Sequence, residues 1–473
     1  MLKKNYLDTL LKIFEKNSSR YLIENLTNKK KYTYQNFLDE SLKFLSFLKK
    51  KNIKKKDKIL IKLDNSYEYL LILNTCIIGG FTACPVDTQI TKDKYSKIKK
   101  ILKPKYIIDS VSKIKFDKNF SYDFERNDFI SLIIFTSGTT GDPKGIRLSS
   151  SSYLSLSKSF GKLAEYDQSS RIYHCLPMHY NAGILNTFYS GLMNDSTIVL
   201  GPKVDSLNIL SFCESIKDAN INTTHLTPEI ANALSFINFS EKEKETISSI
   251  GKIICTGSHL HEKTKEDFEK KFRTRLHSCY GTTEIGGPIS LQNWEDTFEE
   301  NSVGQVLSEV KIKIKKIDKI DHIFIKSPYL FKGYISSNKK IEKPKTNLNY
   351  FNTGDVGKYN NNHLYITGRR KDIFKKGSEI ISAQDLENIC CKHKEVKGCC
   401  VIVKDNRLKG SDIYFLVEFK DNNNLEKLIK SLSNFLLKNL KKIELPDKII
   451  PVPIMIRTSN GKIKKFEMEK IYL

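Results

Sequence analysis

Short apolar runs recur through the first 290 residues, separated by stretches whose apolar positions have helical spacing. Lys58–Leu63, Tyr106–Asp109, Phe129–Phe135, Ser196–Leu200, Asn222–Leu226 and Lys252–Cys255 are rich in Ile, Leu, Val and Phe, and they read as buried strands. Strands alternating with helices predict an α/β fold of parallel-type sheets with helices on both faces. From Val303 to Ile366 the pattern changes. Val310–Ile314, His322–Ile325 and His363–Tyr365 are short β-rich pieces between polar turns, and they predict a small antiparallel β-barrel. After Arg369 a compact α+β pattern follows: a helix over Asp385–His393, strands over Cys399–Lys404 and Ile413–Phe419, and a helix over Leu425–Leu440. Asn360–Asn362 and Asp421–Asn424 read as turns.

Tyr69–Val86 carries no charge and is long enough to pose as a membrane span. Asn74, Gly79, Gly80 and Pro85 interrupt it, so it predicts a buried helix to Ile78, a Gly turn and a strand Phe81–Val86. No membrane insertion is expected. The N-terminus has Asp8 and Glu15 where a secretory leader needs an apolar core.

Composition adds a limit on partners. The formal charge is +25, yet Lys is scattered over every segment together with Asn, and no nucleic-acid module motif is present. The charge therefore reads as a solvated surface that attracts anionic small molecules or an acidic carrier, and no nucleic-acid partner is expected. The ten cysteines lack Cys-x-x-Cys spacing and predict buried, reduced thiols in a cytoplasmic protein.

The chemistry concentrates in a few stretches. Residues 135–145 read Phe-Thr-Ser-Gly-Thr-Thr-Gly-Asp-Pro-Lys-Gly and follow the predicted strand Phe129–Phe135. Glycines and Pro143 disfavour a regular element there. What remains is a loop of backbone N–H groups, hydroxyls and one cation, the parts that hold a polyphosphate. It is not a Walker loop, because Lys144 is followed by Gly145. Four further stretches follow in order: Tyr280-Gly281-Thr282-Thr283-Glu284; Asn352-Thr353-Gly354-Asp355; Gly368-Arg369-Arg370-Lys371-Asp372 with Gly377-Ser378-Glu379; and Arg457-Thr458-Ser459-Asn460-Gly461-Lys462.

Together these five motifs resemble those of the adenylate-forming superfamily, which comprises acyl- and aryl-CoA synthetases, adenylation domains of peptide synthetases and beetle luciferases. The acyl-CoA synthetase branch is the nearest match. Ser378 and Ser459 depart from the family's usual Gly and Pro. The resemblance implies an N-terminal AMP-binding domain over residues 1–370, with α/β subdomains over about 1–290 and the β-barrel over about 291–368. A small mobile lid domain would span residues 371–473.

The resemblance also implies roles. Thr136, Ser137, Gly138, Thr139, Thr140, Gly141 and Lys144 would wrap the ATP phosphates. Thr283 would meet the α-phosphate, and Glu284 would hold Mg²⁺. Asp355 would take the ribose and Arg369 the same sugar or the phosphates, Tyr280 and Ser258 would border adenine, and Gly281 and Thr282 would line the ATP site where it meets the acid pocket. Lys462 would be the adenylation lysine on the lid, and Lys371 its pivot. His179, Asn181, Gly257 and Cys279 would line the acid pocket.

The implied reaction joins a small carboxylic acid to ATP as an acyl-adenylate, then passes the acyl group to CoA or to the phosphopantetheine arm of an acyl or peptidyl carrier protein. An amino-acid adenylating enzyme is the alternative within this class. Amino-acid adenylating relatives place an acidic residue in the segment equivalent to His179–Gly183, and here no Asp or Glu lies between Tyr173 and Met193. A fatty or aryl acid is therefore expected. A basic nucleic-acid- or membrane-associated protein is the non-enzyme alternative. It has no need of Lys462, Glu284 and Asp355 together.

Overall fold

The computed structural model describes the chain except residues 1–5, 118–123, 137–142, 203, 205–208, 218, 296–298, 300, 338–340, 377–378, 407–409, 422 and 459–461. Two large sheets carry the N-terminal part. In the first, Tyr21–Asn25, Thr197–Leu200, Arg171–His174, Thr223–Leu226, Lys252–Cys255 and Leu276–Thr282 run parallel as neighbours in that order. In the second, Tyr106–Ile108, Lys58–Ile61, Thr82–Pro85 and Ile130–Thr136 are parallel, and Lys144–Ser149 adds antiparallel to the last.

The segment that could pose as a membrane span is the helix Tyr67–Gly79 followed by the strand Thr82–Pro85. Ser66 accepts from the Tyr69 N–H at the helix start. Gly80 ends it at φ 79°, a conformation that costs Gly little. The helix is apolar nearly all round because it is buried nearly all round, in the main core. Among the described residues no helix is long and apolar enough to cross a membrane.

The expected β-barrel takes a different form. Gly287–Leu291 pairs antiparallel with Leu276–Thr282, and from there Ser302–Val306, His363–Arg369, Tyr350–Asn360, Ile320–Lys326 and Lys311–Ile317 follow in order. These strands extend the parallel sheet as one open path. Among the described residues no pairing closes them into a barrel. Among the described residues, three hairpins in this region turn on residue pairs with positive φ, Asp318-Lys319, Leu348-Asn349 and Asn361-Asn362. Left-handed pairs of this kind match the twist of the strands they join.

The C-terminal part packs the helices Ala383–Cys391 and Leu425–Asn439 against a sheet of Val396–Asn406, Gly410–Phe419 and Lys448–Pro451. Cys390, Cys399 and Cys400 are buried in its cores.

Candidate active site

Three adjacent parallel strands end at one cavity. Thr227–Glu229 follow Thr223–Leu226, Thr256–Ser258 follow Lys252–Cys255, and Thr283 and Glu284 follow Leu276–Thr282. The carboxyl ends of a parallel sheet are where such folds bind ligands. The cavity measures about 2650 Å³, and its wall includes residues of the C-terminal part, Lys462 among them.

Asp355 is 3% exposed. The Tyr280 hydroxyl donates to its Oδ2 at 2.5 Å, and Arg369 Nε lies 3.2 Å from its Oδ1. Burial raises the Asp355 carboxyl above the usual range, and the Arg369 guanidinium partly offsets that. The conformation that brings Asp355 here uses Gly354 at φ 77°. Gly281 serves a different need. A Cβ there would lie 2.1 Å from Gly287 O on the paired strand, so the motif's Gly keeps the two strands together.

Lys144 and Glu284 meet through Tyr334. The Tyr334 hydroxyl donates to Glu284 Oε1 at 3.3 Å, and Lys144 Nζ lies 5.9 Å from its ring centroid. The strand Tyr334–Ile335 pairs with Gly145 and Ile146, which sets this contact. Glu284 thus offers one carboxylate with a single protein donor among the described residues. That suits a Mg²⁺ that takes its other oxygens from phosphates. Thr282 Oγ1 is buried on the cavity wall with no partner among the described residues. Ser137, Gly138, Thr139, Thr140 and Gly141 lie outside the described residues. The ends of their loop are fixed, since Thr136 and Lys144 are paired across the two strands.

Lys462 is anchored by its backbone. Its N–H donates to Thr458 Oγ1 at 3.0 Å, and its carbonyl accepts from the Thr458 N–H at 2.8 Å. Burial and the nearby Arg369 push its ammonium down to about 8, against the pull of Asp355, Glu229 and Glu284. Glu229 was not singled out from the sequence. Its Oε1 accepts from Ser258 Oγ at 3.1 Å and lies 3.5 Å from Arg457, which ties the Ser258 loop to the Lys462 segment. The Pro at the first helical position, Pro228, was the available signal. Lys371 is exposed on the short turn Arg370–Asp372 between the strands His363–Arg369 and Ile373–Lys376.

A second tie was also missed. Asn388 Oδ1 contacts His261 Nδ1 at 2.5 Å and His259 Nε2 at 3.2 Å, and Gln384 Nε2 lies 3.0 Å from His259 Nδ1. Burial and His261 push His259 down to about 3, so it is neutral at pH 7.

In the expected acid pocket, Asn181 is fully engaged. Tyr153 donates to its Oδ1 at 3.0 Å, and its Nδ2 donates to Gly286 O at 3.0 Å. It fixes the wall and has no amide atom to spare. His179 Nε2 lies 3.6 Å from Asp87 Oδ2. Gly257 faces the Tyr180 hydroxyl, 3.3 Å from where a Cβ would sit. Burial pushes the Cys279 thiol up to about 12, so it is no nucleophile at neutral pH.

Residues 15–335 match the family model described as AMP-binding enzyme, and residues 385–462 match its C-terminal domain model. The chain belongs to the AMP-binding enzyme family. Among curated relatives of this AMP-binding enzyme, malonate–CoA ligase of Arabidopsis thaliana is 26% identical over 75% of this chain. Medium-chain fatty-acid–CoA ligase of Escherichia coli (strain K12) is 23% identical over 73%. The match spans 62% of the length of each of these relatives. The crystal structure of ATP-bound MatB from Rhodopseudomonas palustris has the same fold, with TM-score 0.87, 20% identity and 99% of each chain covered.

Proposed function

We propose that this AMP-binding enzyme activates a small carboxylic acid with ATP and transfers the acyl group to a thiol. The observation that carries the reading is the convergence of Lys462, from the C-terminal part, on the pocket that holds Asp355, Arg369 and Glu284. In the first step a substrate carboxylate oxygen attacks the α-phosphorus, and the bond to pyrophosphate breaks. The approach of an anion to a polyanion needs fixed positive charge. Lys462 and Arg369 supply it, and Thr282 and Thr283 add hydroxyl donors. A Mg²⁺ on Glu284 would neutralise phosphate charge. Asp355 accepts from the ribose hydroxyls while Tyr280 borders the base. The loop of residues 136–144 would wrap the outer phosphates.

In the second step a thiolate attacks the acyl carbon and AMP leaves. We read residues 1–370 as the nucleotide-binding domain and 371–473 as a lid that turns about Lys371 between the steps. The thiol is that of CoA or of a carrier's phosphopantetheine. The names of the relatives, malonate–CoA ligase and medium-chain fatty-acid–CoA ligase, support CoA. The positive surface serves these anions, with no nucleic-acid partner.

Carboxylate-dependent ATP–pyrophosphate exchange over a panel of acids, then a thioester assay with CoA or carrier added, tests the reading. Exchange without any acid, or none with every acid, rejects it.

A further inference from the structure

Gly183–Tyr189 wind as a π-helix beside the acid pocket, with the Ser190 N–H returning to Leu185 O. Such turns are rare and often sit at functional sites. Asn186 lies in the middle of this one. It is 1% exposed and lines the central cavity. Neither its Nδ2 nor its Oδ1 has a hydrogen-bond partner among the described residues. Asn181, five positions earlier, uses both of its amide atoms on the protein. Buried amides are nearly always satisfied, so an idle one beside a cavity is a candidate to pair with what fills the cavity.

Two more idle atoms border the same turn. The Thr187 hydroxyl has one proton, which it donates to Gly183 O at 2.7 Å. His174 Nδ1 lies 2.6 Å from that hydroxyl, and its Nε2 has no hydrogen-bond partner among the described residues. His225, on the next strand, bonds Tyr166 through Nε2 at 2.5 Å and leaves Nδ1 idle. Burial pushes His174 down to about 4 and His225 to about 3, so both rings are neutral at pH 7. Residues 173–193 contain no Asp, Glu, Lys or Arg. Within this segment Asn186 is therefore an uncharged polar contact on the cavity wall, and Asp87, 3.6 Å from His179, is a charged group beside the segment's wall.

We propose that Asn186 is a specificity-determining residue that receives an uncharged hydrogen-bonding group of the acid, a hydroxyl, keto or carboxamide group distal to the carboxylate. The inference rests on the adenylation reading above. An amide both donates and accepts, so it pairs with such groups. An unsubstituted chain leaves it unpaired, and a second carboxylate enters without a cation from this segment.

The test is ATP–pyrophosphate exchange with matched acids of equal length: unsubstituted, hydroxy-substituted, keto-substituted, amide-bearing and dicarboxylic, in aliphatic and aryl series. The expected result is that the best neutral polar acid exceeds its unsubstituted match in kcat/KM by at least about tenfold. Asn186→Leu should reduce or reverse that ratio, and Asn186→Ser should keep part of it. Thermal melts of both variants report folding, and the ratio within each variant cancels any loss of active protein. If exchange favours unsubstituted or dicarboxylic acids, or if N186L leaves the ratio unchanged, the inference is overturned while the adenylation reading stands. If no acid supports exchange, the adenylation reading itself falls.

Discussion

Tyr280 donates its phenolic proton to Asp355 Oδ2 at 2.5 Å, which joins two motifs 75 residues apart in the chain. The bond holds a buried carboxylate that also faces Arg369. An acceptor fixed in this way is preorganised for sugar hydroxyls, since it has two oxygens and no donor when ionised.

Asp355→Ala is therefore expected to raise the KM for ATP more than it lowers kcat. Loss of hydrogen bonds to a charged group costs about 1.5–3 kcal/mol, or roughly a tenfold to hundredfold rise. Steady-state exchange at varied ATP measures it. An unchanged KM for ATP removes Asp355 from the ribose site.

Lys462→Ala is expected to slow adenylation by on the order of 10²–10³-fold, the usual loss for one positioned charge. Thioester formation from a supplied acyl-adenylate should continue, because the proposed role of the lysine is confined to the first step. Equal losses in both half-reactions would show that Lys462 does more than that.

The pH dependence follows from the same side chain. Burial lowers its pKa to about 8, so the ammonium is present below that pH and is lost above it. The kcat/KM for adenylation, which reports the free enzyme, should fall on the alkaline side with an apparent pKa near 8. Bound phosphates favour the charged form, so the limb in kcat should lie higher. For stability the sign is opposite. Between about 8 and the ordinary lysine value of 10.5 the unfolded chain binds more protons, so stability should gain as pH rises through that window. Lys462→Arg should remove the alkaline limb from kcat/KM. A limb that persists in K462R belongs to another group.

Lys371→Pro should leave acyl-adenylate formation in place and collapse thioester output. Proline fixes φ near −65° and blocks rotation at the proposed pivot. Quench-flow separation of the two half-reactions reads the outcome, and a parallel fall in both rates dismisses the pivot.

Asn388→Ala removes the acceptor shared by His259 and His261 at the contact between the two parts of the chain. Its loss, at about 0.5–1.5 kcal/mol per hydrogen bond, should slow adenylation several-fold or more. Thioester formation from supplied acyl-adenylate should change little. The opposite pattern would mean that this contact belongs to the second step.

The sequence by itself determined the strand-to-helix alternation, the order of the five motifs and the family they belong to. Those properties are local: apolar runs, glycines at turns, and short side-chain sets at fixed spacing. It also determined that Tyr67–Gly79 would be a buried helix, because Gly80 ends it before it reaches membrane length. Tertiary structure decided the rest. The strands after Leu276–Thr282 continue one sheet because the Gly287–Leu291 strand pairs back onto it, and no periodicity records which edge a strand will find. Asn181 and Asn186 are the same residue type five positions apart. One is satisfied by Tyr153 and Gly286, and the other is left idle on the cavity wall. Glu229, Tyr334 and Asn388 read as ordinary residues in the chain and become connectors only because distant segments converge on them. Side-chain satisfaction depends on what lies across a contact, and that is fixed by packing among segments 50 to 228 residues apart.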